Sequence, residues 1–152
     1  MIAAILAIVF AMPPSWQHVP VDNPPGSTVE MLDIGRGPTV NGFQQQINVL
    51  RHRLSDPSID ITAWADQSVQ YLQDHDSKVV ASHKERLCNG TEDGWLIESS
   101  GSYSGRNLDL IQTALLNGEF EYVATYSRLQ GTPQDPAAVK ALDSLCPQAG
   151  AN

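Results

Sequence analysis

The sequence predicts an α+β fold, in which a central antiparallel sheet of about five to seven strands is combined with a helix after the first strands and a short C-terminal helix. Three observations predict it. Several runs alternate apolar and polar residues, one segment repeats apolar residues at helical spacing, and an Asn-Gly pair marks a tight hairpin turn. The 152 residues are 41% hydrophobic and 17% charged, which is the composition of one globular domain.

The N-terminus carries an unbroken apolar run from Ile2 to Met12, followed directly by two prolines. The run is too short to span a bilayer but has the length of the apolar core of a signal peptide, although no Lys or Arg precedes it. We therefore predict export, with cleavage between Ala11 and Trp16. The alternative is that the run is a buried strand or helix of the domain. The predicted organisation is a signal peptide over 1–15, a single domain over 16–147 and a tail over 148–152.

The first long strand is predicted over Phe43–Leu54, after a stretch rich in Pro, Gly, Asn and Ser that holds one or two short strands. Its apolar residues share one face of the strand: Phe43, Ile47 and Val49. The strand ends in the basic residues Arg51, His52 and Arg53. This end is either simply solvated or, in so acidic a chain, a rim that binds an acidic partner.

The clearest helix is predicted over Asp60–Leu72, where apolar residues recur at helical spacing and either Asp60 or Thr62 can cap the first turn. Turn residues and β-branched or aromatic residues then predict three strands. These strands are Val79–Leu87, Trp95–Tyr103 and Leu108–Leu116.

The sharpest local signal is Asn117–Gly118, which suits a two-residue type I′ turn and predicts an antiparallel hairpin whose second arm starts at Phe120. The last helix is predicted to begin after a cap at Asp135, with Pro136 at its first position. Pro147 ends it, because proline cannot continue a helix.

The chain contains two cysteines, Cys88 and Cys146. An even number in a chain with an apparent export signal predicts a disulfide between them. It would join the end of a strand to the end of the last helix. In the chain-entropy model, closing so long a loop contributes about 4 kcal/mol. The alternative is two separate buried thiols.

Charge and motifs exclude several classes of function. Nine Lys and Arg residues against seventeen Asp and Glu give a formal charge of -8, which opposes binding to nucleic acid or to anionic lipid. The sequence contains no nucleophile elbow, phosphate-binding loop, zinc-protease motif or dinucleotide fingerprint. Asp74-His75-Asp76 lies just past a helix end, and neither His52 nor His83 has a ligand partner at a recognised spacing. We therefore predict no catalytic residue, no metal and no cofactor.

Four sequence segments, taken with their order and spacing, resemble a known family. They are "FQQQINVLR" (43–51), "DITAWADQSVQYL" (60–72), "NGTEDGWLIESS" (89–100) and "GEFEYVATYS" (118–127), and an Asp- and Pro-capped helix follows them. Together they resemble the PsbP-like family over most of 16–147. The fold of that family is shared with a nuclear-import factor that binds a Ran-type GTPase and with many small exported bacterial proteins. The resemblance implies an αβα sandwich with one long helix and a non-catalytic protein that binds other proteins. The cysteine pair resembles a feature of the exported subgroup.

The expected function is thus an exported, non-catalytic binding or accessory protein of the bacterial periplasm or envelope, whose partner is another protein. Two alternatives stay open at this point. One is a small periplasmic hydrolase or ligand-processing enzyme that assembles a Ser/His or His/Asp site. The other is an intracellular partner chaperone of the same fold, which would keep the apolar N-terminal run packed.

Overall fold

The computed structural model describes residues 9–148, and within that range the chain forms a seven-stranded antiparallel sheet and two helices. Residues 1–8 of the predicted signal peptide and 149–152 of the predicted tail lie outside the described residues. The strands lie side by side in the order β1-β2-β3-β7-β6-β5-β4. The elements are β1 (Gln17–His18), β2 (Val29–Val40), β3 (Phe43–Arg53), α1 (Ile61–Asp74), β4 (Lys78–Leu87), β5 (Glu92–Tyr103), β6 (Arg106–Asn117), β7 (Phe120–Leu129) and α2 (Pro136–Leu142).

The predicted αβα sandwich with one long helix is wrong. Helix α1 has 14 residues and α2 has 7, so at 1.5 Å per residue they are about 21 Å and about 10 Å long. Seven strands spaced about 4.8 Å apart make a sheet about 29 Å wide. Helix α1 packs mainly on the neighbouring strands β4 and β5, and α2 packs on β6 and β7. Neither helix can form a layer over such a sheet, so the fold is mostly a β-sheet.

The two faces of the sheet are covered differently. We call the first the closed face, because α2 and the segment Val9–Trp16 pack on it and bury the main hydrophobic core. We call the opposite one the cleft face, where α1 lies at one edge. Strand residues alternate between the two faces. The sheet residues of the closed-face core are Ile47, Val49, Leu87, Ile111, Leu115, Tyr122, Ala124 and Tyr126.

The segment Val9–Trp16 is part of the core. Phe10, Met12 and Trp16 are each buried, with 6%, 9% and 4% of their surface exposed. The Trp16 indole nitrogen donates to the Asp135 carboxylate at 3.1 Å. The N-terminal segment therefore packs between the sheet and the start of α2.

Two glycines of β2 make room for this segment. A Cβ atom on Gly35 would lie 2.2 Å from the Met12 sulfur, and one on Gly37 would lie 2.4 Å from the Trp16 ring. Real Cβ atoms do not approach other atoms so closely, so a larger residue at Gly35 would displace the Met12 side chain and one at Gly37 would displace the rigid Trp16 ring. This close approach explains why glycine interrupts a strand at two positions.

The disulfide lies where the segment Val9–Trp16 meets the segment after α2. Cys88 and Cys146 are joined with an S–S distance of 2.00 Å. The Cys146 backbone nitrogen donates to the Val9 carbonyl at 2.8 Å, and the Ala11 nitrogen donates to the Ser144 hydroxyl at 2.9 Å. The covalent link thus holds the C-terminal segment in the position that also receives the N-terminal segment.

Local capping follows the sequence, but one turn differs. The Asp60 side chain accepts from the Ala63 nitrogen and caps α1. Asn117 still pairs with Phe120 as the last residue of β6. The loop is therefore Gly118 and Glu119, with a positive φ at Gly118 (62°) and not at Asn117. This matches a type II′ turn rather than the predicted type I′ turn, because only the first central residue of type II′ needs positive φ.

Cleavage between Ala11 and Trp16, as the sequence predicts, would remove Phe10 from the core, and cleavage after Met12 would remove Met12 as well. Burying each side chain contributes about 2 kcal/mol, against a total stability of about 5–15 kcal/mol for a typical domain. We expect a chain that begins at Trp16 to lose at least about 4 kcal/mol of its free energy of unfolding, measured by urea denaturation, relative to a chain that begins at Val9.

The matched substitutions Phe10→Ala and Pro14→Ala separate packing from chain length, since Pro14 is exposed in the same segment. We expect Phe10→Ala to cost about 3–5 kcal/mol and Pro14→Ala to change stability little. Equal stability of the chains that begin at Val9 and at Trp16 would contradict this account of the segment. The position of a cleavage site stays a prediction, to be read from the N-terminal residue of the mature protein.

Candidate functional site

The predicted basic rim is divided between the two faces of the sheet. Arg51 and Arg53 lie on the closed face, where their guanidinium carbons lie 4.3 Å and 4.8 Å from the centre of the Phe120 ring. His52 points to the cleft face, because successive strand residues alternate. The three residues therefore do not form one surface.

Each cation of the rim also has a carboxylate partner within the chain. The Arg51 Nε donates to Glu30 at 2.9 Å, and Arg53 pairs with Glu119. Burial disfavours the Arg51 cation, but hydrogen bonds to Tyr122 and Glu30 outweigh that effect and raise its pKa. Because these charges are matched, the rim offers an acidic partner little net positive charge.

A cleft opens on the cleft face between α1 and the strands that α1 leaves uncovered. Its volume is about 500 Å³, within the range of small-ligand sites. The loop after β3, the side of α1, and strands β3, β6 and β7 form its walls. The lining residues are His52, Leu54, Ser55, Asp56, Ile59, Trp64, Gln67, Ser68, Tyr71, Leu72, Gln112, Glu121 and Val123.

A polar network joins three elements at the floor of the cleft. His52 on β3 lies directly opposite Glu121 on β7, and the His52 Nδ1 is 3.0 Å from the Glu121 Oε1. The Trp64 indole of α1 donates to the other carboxylate oxygen, Oε2. Glu121 therefore has a hydrogen-bond partner on each oxygen, and its carboxylate is held in one orientation.

The rest of the cleft combines apolar walls with acceptor groups. Tyr71 stands at its edge with 62% of its surface exposed, and His75 stacks on the Tyr71 ring with centroids 4.0 Å apart. The Gln112 Nε2 donates to Thr125 at 3.0 Å, which leaves its carbonyl oxygen as an acceptor. The arrangement suits binding of a group that has an apolar or flat part and hydrogen-bond donors.

Other residues considered in the sequence do not join this cleft. Strands β7, β6 and β5 separate β3 from β4, so His52 and His83 are not neighbours. Trp16 is in the closed-face core, and Trp95 donates to the Ser82 hydroxyl near the sheet edge. Within residues 9–148, no group of three or more His, Cys, Asp or Glu side chains could hold a metal ion.

Sequence reasoning missed Glu121 and Gln112 as site residues. Because successive strand residues point to opposite faces of a sheet, the sequence does show that His52 faces away from Arg51 and Arg53. It does not show which residue of β7 lies opposite His52, because that depends on the register between strands more than sixty residues apart. Helical spacing placed Trp64 on the inward side of α1, but its bond to Glu121 likewise needs the tertiary arrangement.

Among the residues that the structure describes, no helix has the length and apolarity needed to cross a membrane.

Two bacterial proteins share this arrangement of strands and helices. The chain superimposes on PA94 from Pseudomonas aeruginosa, a candidate regulator of unknown function, with a TM-score of 0.60 and 15% identity over 88% of this chain and 97% of that one. It superimposes on LpqN, a protein involved in cell envelope biogenesis in Mycobacterium tuberculosis, with a TM-score of 0.63 and 14% identity over 88% and 78% of the chains. At these identities the likeness shows the fold alone. No family model and no curated protein matches the sequence.

A double-mutant cycle tests whether the floor network holds α1 to the sheet. We expect Trp64→Phe and Glu121→Gln each to lower the free energy of unfolding by about 1–2 kcal/mol, because each removes part of a charge-assisted hydrogen bond. Their effects should be non-additive by about 1 kcal/mol, measured by urea denaturation. The control pairs Glu121→Gln with Trp95→Phe, whose indole bonds Ser82 instead, and should be additive. Additivity in both pairs would show that the Trp64 bond contributes nothing.

Proposed function

We propose that the protein is a non-catalytic binding or accessory protein of the bacterial cell envelope, of PsbP-like type, and that it binds another protein through the cleft on the cleft face. The single observation that carries the proposal is the preformed cleft itself. Hydrogen bonds among His52, Glu121 and Trp64 hold the floor of the cleft in place. Binding of a partner would therefore cost little side-chain entropy at the floor, because these side chains are already ordered.

Three further observations support the location and the class. The Cys88–Cys146 disulfide is typical of oxidising compartments outside the cytoplasm. LpqN, which has a similar fold, is involved in cell envelope biogenesis. The phrases that resemble the PsbP-like family fall on β3, α1, β5 and β7, and these four elements include three that line the cleft.

Photo-crosslinking in bacterial cells tests the proposal. Gln67 lines the cleft on α1, whereas Gln73 is exposed on the same helix and does not line it. We expect the full chain with p-benzoylphenylalanine in place of Gln67 to give a discrete crosslinked product after irradiation. Mass spectrometry should identify the captured protein as an exported one, and the product should be recovered with the cell envelope.

The chain with p-benzoylphenylalanine in place of Gln73 is the matched control, because it carries the same probe on the same helix. We expect it not to give that product. Equal capture at both positions, or capture only of cytoplasmic proteins, would contradict binding through the cleft in the envelope.

A small hydrolase is the second candidate function, and the His52–Glu121 pair is the observation that favours it. A carboxylate bound to one ring nitrogen is how a general base is oriented in hydrolytic triads. Within residues 9–148, however, no serine hydroxyl hydrogen-bonds to the His52 ring, although Ser55 and Ser68 line the same cleft.

An esterase assay separates the two candidates. For a binding protein, we expect p-nitrophenyl acetate to be hydrolysed no faster than by free imidazole at the same concentration, with wild type and His52→Gln giving the same rate. A rate well above that background, lost in His52→Gln and retained in His83→Gln, would favour the hydrolase and contradict the non-catalytic proposal. His83 is the suitable control because it lies on β4, outside the cleft.

A further inference from the structure

The charges that line the cleft have one predominant sign. Among its lining residues are the carboxylates Glu121 and Asp56, while none is Lys or Arg. The Ser58 hydroxyl and backbone nitrogen donate to Asp56 at 2.6 Å and 3.0 Å, and these bonds lower the pKa of Asp56. Asp56 therefore stays ionised. The cleft is thus lined by two carboxylates and one imidazole, with no Lys or Arg among its lining residues.

Besides the donors of its serine, tyrosine and Gln67 side chains, the cleft offers several hydrogen-bond acceptors. Carboxylate oxygens accept more than one hydrogen bond each, so Glu121 can still accept bonds beside those from His52 and Trp64. Among the described residues, the Gln112 amide is bonded only through its nitrogen, to Thr125, and its oxygen adds a neutral acceptor. A guanidinium group is the complementary side chain, because it has five N–H donors and no acceptor.

Aromatic side chains complete the match. Trp64 and Tyr71 lie about two turns apart on one side of α1 and both line the cleft. Cations are attracted to the faces of such rings, and guanidinium groups stack on them. Because the exposed Tyr71 ring is stacked by His75 on one side, it is held as a flat surface at the edge of the cleft.

We propose that the cleft binds a basic side chain of the partner protein, an arginine above all, with the guanidinium near Glu121 and Asp56 and its stem against Trp64 and Tyr71. The proposal rests on the proposed function and adds the chemistry of the partner to it. The formal charge of -8 on the chain acts in the same direction, since it attracts basic segments. The basic rim on the closed face does not compete, because Arg51 and Arg53 are paired with Glu30 and Glu119.

Two matched peptides test this on the wild-type protein. One is an acetylated, amidated tripeptide with a central arginine between alanines, and the other carries citrulline in its place, which has nearly the same shape and no charge. We expect the arginine peptide to shift the Trp64 indole N–H resonance in ¹H–¹⁵N NMR spectra at pH 7.5 and the citrulline peptide to bind at least about tenfold more weakly. The Trp16 indole, bonded to Asp135 on the other face, should not shift.

Two charge-removing variants locate the effect. Glu121→Gln removes a cleft charge and keeps the shape of the side chain, whereas Glu119→Gln removes the same charge two residues away, from an exposed group that pairs with Arg53. We expect Glu121→Gln to weaken binding of the arginine peptide at least about fivefold and Glu119→Gln to change it less than about twofold. Because the peptide comparison uses wild-type protein, the proposal stays testable if Glu121→Gln folds poorly.

Equal binding of the arginine and citrulline peptides, or no shift of the Trp64 resonance by either, would overturn the proposal. Propylguanidine, a free guanidinium with the same single charge and no peptide backbone, separates the sources of the cation. Tighter binding of propylguanidine than of the arginine peptide would show a site for small free cations and would also overturn the proposal. The proposed function and this proposal can fail separately. Crosslinking through Gln67 without a preference for arginine would contradict only the arginine proposal, and the cleft would still bind a protein, through different chemistry.

Discussion

The fold depends on the meeting of the segment Val9–Trp16 with the segment after α2 on the closed face of the sheet. Met12 and Trp16 lie against two glycines of β2, which allow their close approach, and Phe10 is buried in the same core. The disulfide holds Cys146, whose backbone nitrogen bonds the N-terminal segment. The core is therefore covered by residues that are far apart in sequence. Their contacts stabilise one another, because each contact fixes the position of the residues that make the next one.

The segment Val9–Trp16 and α2 cover the closed face of the sheet, and the cleft lies on the opposite face. Helix α1 contacts β4 and β5, and its first turns reach β7 through Trp64 and Glu121. The strands between and beyond these contacts carry polar side chains such as Gln112 and Thr125, which can face water. The same shortage of helix that makes an αβα sandwich impossible thus creates the candidate site.

Local patterns predicted the strands, helices and caps better than they predicted how those elements assemble. Asp60 and Asp135 cap the helices as their side chains indicate, because capping involves neighbours in sequence. At Asn41–Gly42, both residues have positive φ and form the turn that an Asn-Gly pair favours. At Asn117–Gly118 the register of β6 and β7 overrides that preference and moves the turn by one residue. The His52–Glu121 pair depends on the same kind of long-range register, so composition and spacing could not reveal it.

Counting charges along the sequence does not show which of them are already paired within the fold. Arg51 and Arg53 lie near the end of β3, yet the fold places an acidic residue beside each of them. A paired charge is largely neutralised for an incoming partner, whereas a charge without a cationic neighbour keeps its field. Within residues 9–148 the Asp56 carboxylate is bonded only to Ser58, and the hydrogen bonds to the Glu121 carboxylate come from an imidazole and an indole. The cleft therefore has two carboxylates and no Lys or Arg among its lining residues, and the proposed binding of an arginine rests on this charge pattern.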